Sequence, residues 1–381
     1  RDGDDGRDGY PMHCSAGREP PAFHGGGDYL RNRVTGQRRR GRNLAPMDEP
    51  TPPPSAAAPP DATPGATPGA TPSVFPGAVS PDREYLLDAG GIGIAVHEWG
   101  SEQADPLFLV HGGFDFARTY DVFAPKLAAA GWRVVSWDQR GHGDSEHAAL
   151  YSWDGDLRDA MAVMDSITQY PAPVIGHSKG GSLMIQLADA QPFRFSHLVN
   201  LDGIPYKRRI PDVSEHERTR MAAGEITGWL DHRRSTATSQ RKPGTLEELA
   251  RRRGRMNPRL PFEWLCHLVT VGAFESEDGW RWKIDPSMRF GGFGPWRPEW
   301  TITRLPGLPM PFLGILGREQ EEMGWGTLPH HVYPYLPRGG RCEVLEDVGH
   351  FVHIEQPDVV AGMVLDFLEA SGASGANRGA A

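Results

Sequence analysis

The chain has 381 residues, of which 38% are hydrophobic and 23% charged, and a net charge of −9. At roughly 150 residues per domain it holds two or three domains, or one large domain with a tail, and 35 prolines and 47 glycines favour the tail. The acidic balance argues against coating nucleic acid or an anionic membrane, the dispersed Cys14, Cys266 and Cys342 exclude a disulfide framework or Cys-x-x-Cys metal site, and no apolar run approaches the roughly 18 residues of a membrane span.

Residues 1–45 are rich in Arg, Gly and Asp, and 46–81 in Pro, Ala and Thr, with an Ala-Thr-Pro-Gly repeat over 62–72. Such a segment buries too little apolar surface to offset its ordering entropy, so 1–80 is expected to be disordered. Arg38, Arg39, Arg40 and Arg42 read as a solvated tail in preference to a nucleic-acid arm, which stays the last of the alternative readings. Arg1 and not Met opens the chain, which reads as a fragment or a start-site problem, with 1–46 part of that tail or sequence upstream of a start at Met47. No apolar signal-peptide core is found near the start, and with the cysteine usage this fits a reducing, cytoplasmic location.

From about 81 to 370 short apolar runs alternate with amphipathic stretches, which predicts strands alternating with helices around a mostly parallel sheet. Ile92–Val96 alternates like an antiparallel edge strand. Leu107–Val110, Arg133–Trp137, Pro173–Ile175, His197–Leu201 and Phe312–Leu316 are continuous, as in strands buried on both faces. Helices are expected near 117–130, 151–169, 179–191 and 356–370, the last with Pro357 near its start, where a missing N–H costs little. Between 203 and 305 strand signals vanish and Arg and Trp dominate. Leu246–Arg255 and Glu263–Val271 read as helices of an insertion after the sixth strand. Residues 371–381 read as a second disordered tail.

The strongest chemical signal is Gly176-His177-Ser178-Lys179-Gly180, placed between a buried strand and a helix. A serine there sits on a sharp turn with strained backbone that larger neighbours would obstruct, and its Oγ stands clear of the sheet. Lys179 N–H then lies at a helix N-terminus, where developing negative charge is stabilised. His111-Gly112-Gly113-Phe114 closes an earlier strand. Gly113 N–H and Lys179 N–H are the expected oxyanion hole, and Phe114 and His177 the expected substrate-lining residues. His111 reads as structural. A serine hydroxyl needs a base within hydrogen-bond reach. His350, in Gly349-His350-Phe351-Val352-His353, lies directly beyond the last strand and is the expected base, with His353 its rival.

Residues 82–370 resemble the α/β-hydrolase fold superfamily in four motifs in the family's order: Val110–Gly113, Trp137–Ser145, Gly176–Gly180 and Gly349–Pro357. The resemblance implies an α/β fold with a mostly parallel eight-stranded sheet, a core over 81–202 and 306–370, and a helical cap over 203–305. It implies Ser178 as nucleophile, His350 as base, and largely structural roles for Asp138 and Arg140. Serine at the elbow separates the chain from the superfamily's dehalogenases and epoxide hydrolases, which use aspartate there. The family's usual acid follows the seventh strand, where this chain has Gln320. Some members place it after the sixth strand, which makes Asp202 the preferred acid here, with Glu321 and then Glu319 behind it. The cap's Trp229, Trp264, Trp280, Trp282, Trp296, Trp300, Phe274, Phe290 and Phe293 are expected to form mostly its own core, some lining an apolar chamber. Arg251, Arg252, Arg253 and Arg255 read as a solvated helix face.

The expected activity is serine hydrolysis of a small apolar carbonyl substrate, foremost a carboxylic ester, with no metal or organic cofactor and no nucleic-acid or membrane partner. C–C bond, lactone or amide hydrolysis or perhydrolysis by the same triad is the second reading. A non-catalytic ligand-binding protein is the third.

Overall fold

The structure, a computed structural model, describes residues 75–205, 215–288, 298–373 and 375, with the backbone alone at 215–219, 221, 222, 225 and 298–300. Residues 1–74, including Cys14 and the Arg38–Arg42 cluster, lie outside the described residues, as do Phe290, Phe293, Trp296 and the Trp300 side chain.

The chain runs β1 (Arg83–Asp88), β2 (Gly93–Trp99), β3 (Pro106–Val110), α1 (Ala124–Ala129), β4 (Arg133–Trp137), α2 (Trp153–Ile167), β5 (Ala172–His177), α3 (Lys179–Ala190) and β6 (Phe195–Leu201). It then leaves the sheet for α4 (Glu215–Thr236), α5 (Leu246–Met256), α6 (Phe262–Gly272) and the hairpin β7 (Ala273–Ser276)–β8 (Gly279–Trp282). It returns as β9 (Phe312–Gly317), α7 (Pro329–Val332), β10 (Arg341–Leu345), α8 (Val352–Glu355) and α9 (Pro357–Ala370). The eight-stranded sheet has the order β1-β2-β4-β3-β5-β6-β9-β10. β2 pairs antiparallel with β1 and β4, and the remaining neighbours are parallel.

The continuous apolar strands serve two cores. Phe108, Val110, Val174, Leu198 and Phe312 face α2 and α3. Leu107, Leu109, Ile175, Val199 and Leu313 face α1 and α9. Period-two alternation of side chains on a doubly covered sheet requires both faces to be apolar. Each fully buried side chain of this kind contributes roughly 1.5–3 kcal/mol. A third cluster joins Leu249, Trp264, Leu265 and Val269 of the inserted segment to Phe116 and Phe351 of the sheet's loops.

The structure corrects several expectations. Ile92–Val96 falls in β2, which is antiparallel as expected but is not the edge: β1 pairs outside it, held by the main chain, with Leu86 exposed and Leu87 packed on the first core. α4 and the β7–β8 hairpin carry no periodicity that announces them. The helix expected at 117–130 is a 3-10 turn at Ala117–Tyr120 followed by the short α1. Residues 75–80, expected to belong to the tail, are described and make ordered contacts. The Phe75 ring meets Trp264 edge-on at 5.1 Å, and Val79 accepts from Trp99 Nε1 at 3.0 Å. Past α9, Ala373 is buried against the second core, so the chain there is packed.

Candidate active site

The C-terminal ends of β3, β5, β6 and β9 and the loop after β10 meet at one edge, the usual binding edge of a parallel sheet. Ser178 follows β5 at φ 51° and ψ −122°, a conformation non-glycine residues rarely hold. The glycines around it are dictated by space. A Cβ on Gly180 would lie 2.3 Å from Val110 O, and one on Gly176 2.6 Å from the Gly181 Cα. Ser178 N–H donates to Leu201 O at 3.0 Å, tying the turn to β6.

His350 Nε2 lies 2.9 Å from Ser178 Oγ, and His350 Nδ1 lies 2.6 Å from Asp202 Oδ2. The carboxylate only accepts, so the ring proton belongs on Nδ1 and Nε2 is free to take the serine proton. Asp202, at φ 45° just after β6, has its N–H bonded to Ile315 O at 2.8 Å, and its Oδ1 accepts from Gly317 N–H at 3.3 Å. The His350 ring is buried. Ser178, His350 and Asp202 are therefore brought together.

The other acid candidates are not. Glu319 is exposed. Glu321 Oε2 accepts from the His350 main-chain N–H at 2.7 Å, so it holds the backbone and not the imidazole. Burial pushes the Glu321 carboxyl above its usual range.

The rival histidines are held by local structure. His111 Nδ1 donates to Gly112 O at 2.7 Å and Nε2 accepts from Gln139 N–H at 2.9 Å, and burial pushes the ring down to about 4. His353 is fully enclosed between Tyr120 and His177, and burial pushes it down to about 3. A buried, neutral imidazole with no route to Ser178 is not a base for it. His177 departs from the expected pocket-lining role. Its ring is 1% exposed, packs against His350 at 4.8 Å and bonds His350 O through Nε2 at 3.0 Å. Side chains alternate along β5, which turns His177 inward where Ser178 turns out.

The two turns expected to form an oxyanion hole abut each other: a Cβ on Gly112 would lie 3.1 Å from Ser178 Cβ. Lys179 is the first residue of α3, and its ammonium turns away to Asp156 at 2.7 Å. Gly113 is half-buried in the turn after β3. Phe114, half-buried at φ 56°, donates its N–H to His142 Nε2 at 3.2 Å and accepts from Arg253 Nη1 at 2.7 Å. Burial holds His142 well below its usual range, so it is a neutral acceptor.

Arg253 departs from the solvated face expected of it. It is buried and lies 4.0 Å from buried Asp115, with its guanidinium over the Phe351 ring. The signal was the inward stripe Leu249, Ala250, Arg253 at helical spacing. Arg251 and Arg252 do lie at the surface side of α5, paired with Glu247 and Glu248. Of the described aromatics, Trp264 is fully buried and Trp280 and Trp282 pack on the same cluster, whereas Phe274 is exposed. Asp138 and Arg140 build the turn after β4. Asp138 accepts from Ala117 and Asp144 N–H, and Arg140 makes a bidentate pair with Asp159. Among the described residues no group of three or more His, Cys, Asp and Glu is placed to hold a metal ion, and no helix is long and apolar enough to cross a membrane.

The sheet order, the serine on its strand-to-helix turn and the histidine beyond the last strand define a protein class. The sequence pattern of the Alpha/beta hydrolase family matches residues 107–363, and the chain belongs to that family. It is 29% identical over 278 residues to a serine hydrolase-like protein of Danio rerio, covering 71% of this chain and 83% of that one. It is 32% identical over 119 residues to a serine hydrolase-like protein of Dictyostelium discoideum, 30% of this chain and about a third (33%) of that relative's length. Among solved structures, the thioesterase domain from the curacin biosynthetic pathway matches with a TM-score of 0.64 at 23% identity, covering 74% of this chain and 99% of that one. At that identity the likeness speaks for the fold.

Proposed function

We propose that the protein is a serine hydrolase in which Ser178 attacks a carbonyl carbon and His350 takes its proton. Asp202 keeps the imidazole in the required tautomer and stabilises the imidazolium. The N–H groups of Gly113 and Lys179 receive the oxyanion. His350 then protonates the leaving group, and water activated by His350 releases the acyl group from Ser178. The observation that carries this reading is the continuous contact from Asp202 through His350 to Ser178, with the serine on a strained turn. Such strain is kept where it presents a group for chemistry.

A carboxylic ester with an apolar acyl or alcohol part is the proposed substrate class, and the segment between β6 and β9 is the proposed cap. The packing of its Trp264 and Leu265 against Phe116 and Phe351 supports a cap seated beside the serine. A fluorophosphonate probe tests the reading. Labelling on Ser178 that is lost in Ser178→Ala is the expected result. A folded wild-type protein that does not label would instead make it a ligand-binding member of the family.

A further inference from the structure

The loop after β9, where the family's usual acid sits, still reaches His350, but from its main-chain side. Glu321 Oε2 accepts the His350 N–H at 2.7 Å. One residue earlier, Gly349 N–H donates to Glu355 Oε1 at 2.9 Å. Glu355 Oε2 in turn accepts from Arg259 Nε of the inserted segment at 2.8 Å, and Arg259 also bonds Asp347 O. Two consecutive N–H groups at the proposed base are thus each held by a separate carboxylate. The carboxylates crowd Gly349 so closely that a Cβ there would lie 2.5 Å from Glu321 Oε2 and 2.9 Å from Glu355 Oε1.

The Glu321 loop is itself anchored. Arg318 N–H donates to Leu345 O at 3.0 Å, and Glu319 N–H to Val348 O at 2.9 Å. Gly317 approaches so near that a Cβ on it would lie 2.0 Å from Gly349 O. Nothing else described on this loop accepts from the His350 backbone. An ionised carboxylate accepting an N–H makes a shorter and stronger bond than a neutral acceptor.

We propose that Glu321 is a positioning residue that fixes the main chain of His350, so that the imidazole meets Asp202 and Ser178 at once, and that Glu355 and Arg259 extend this support to the inserted segment. Asp202 orients the ring and Glu321 orients the residue that carries it. The inference rests on the serine hydrolase reading for its kinetic consequence, though not for its geometric one. Small displacements of a base from its nucleophile are costly: an error near 1 Å loses about a hundredfold in rate.

The experiment compares Glu321→Ala, Glu321→Leu and Glu321→Gln with wild type, normalising turnover of an activated ester to the Ser178 sites that react with the probe. Glu321→Ala and Glu321→Leu are expected to lower kcat per site about tenfold to a hundredfold with little change in KM. Glu321→Gln keeps an acceptor oxygen and is expected to recover most of that loss. A merely structural role would lower the number of sites and leave kcat per site unchanged. NMR of protein labelled with 15N-histidine gives a readout that needs no turnover. In wild type the His350 amide is expected to exchange slowly, and its Nδ1–H resonance, identified by its loss in His350→Gln, is expected to move in Glu321→Ala and return in Glu321→Gln. A fast-exchanging His350 amide in wild type overturns the proposal without any variant. So does a folded Glu321→Ala or Glu321→Leu with unchanged kcat per site and an unmoved Nδ1–H. If wild type neither labels nor turns over, the hydrolase reading fails while the amide and ring signals still decide the role of Glu321.

Discussion

Asp202 Oδ2 and His350 Nδ1 lie 2.6 Å apart although 148 residues separate them in the chain. The contact exists because β6 and β9 are parallel neighbours, which puts the residue after β6 beside the loop that follows β10. An acid after β6 reaches this histidine from the same edge as one after β9 would, since both strands end there.

The first prediction concerns that acid. Asp202→Asn is expected to lower kcat by up to about 10⁴-fold, because the amide no longer enforces the tautomer that leaves Nε2 free. Glu319→Gln, at an exposed position, is expected to change kcat less than twofold. Steady-state kinetics on one activated ester separates the two. Comparable losses in both would move the acid away from Asp202.

The elbow predicts a trade between stability and activity. Ser178→Gly removes the penalty of φ 51° and is expected to raise stability by about 1 kcal/mol while abolishing probe labelling. Ser178→Ala keeps the penalty and is expected to abolish labelling without that gain. Gly180→Ala drives a Cβ towards Val110 O and is expected to cost about 3 kcal/mol or more. Urea denaturation of the three variants checks the ranking.

A pH signature follows from His97, whose ring nitrogens meet Glu84 at 3.0 Å and Asp138 at 3.3 Å. Burial alone would push the imidazole down, but the two carboxylates reverse this and raise it from 6.5 to about 9. A raised folded value means stability that is complete below pH 6.5 and is lost as pH rises through about 9. The size is on the order of 3 kcal/mol. Asp138 mirrors it. Burial would raise the carboxyl, yet His97 holds it down to about 2, so its share is present above 3.8 and lost as pH falls through about 2. Wild-type Tm is expected to fall between pH 6.5 and 9, and His97→Gln to flatten that fall. An equal slope in both proteins would remove His97 as the cause.

Arg253 and Asp115 predict a coupled pair. Both are buried at 4.0 Å separation. Arg253→Met is expected to cost about 3–5 kcal/mol, because it leaves the Asp115 charge uncompensated. Adding Asp115→Asn is expected to return at least about 1 kcal/mol of it. A double-mutant cycle by denaturation measures the coupling, and additive losses would argue that the two do not interact.

The sheet's buried strands, the elbow and the histidine loop are legible in the chain alone. Their signals are local: continuous apolar runs such as Leu107–Val110, the small residues at Gly176 and Gly180 that a tight turn demands, and a Gly-His pair beyond a strand. Asp202 could only be ranked above Glu321, because which carboxylate meets the imidazole depends on where β6 and β9 end relative to each other. Edge strand β1 and the β7–β8 hairpin are illegible, since main-chain pairing to the neighbouring strand holds them while most of their side chains stay exposed or half-buried, which leaves no clean periodicity. His177 and Arg253 look like a pocket residue and a surface charge in the chain. The tertiary structure turned both inward, one by the alternation of β5 beneath the serine and the other by the face that α5 presents to Phe114. Charge and local pattern are carried by the chain, whereas burial and the pairing of polar groups are settled only when separate segments meet.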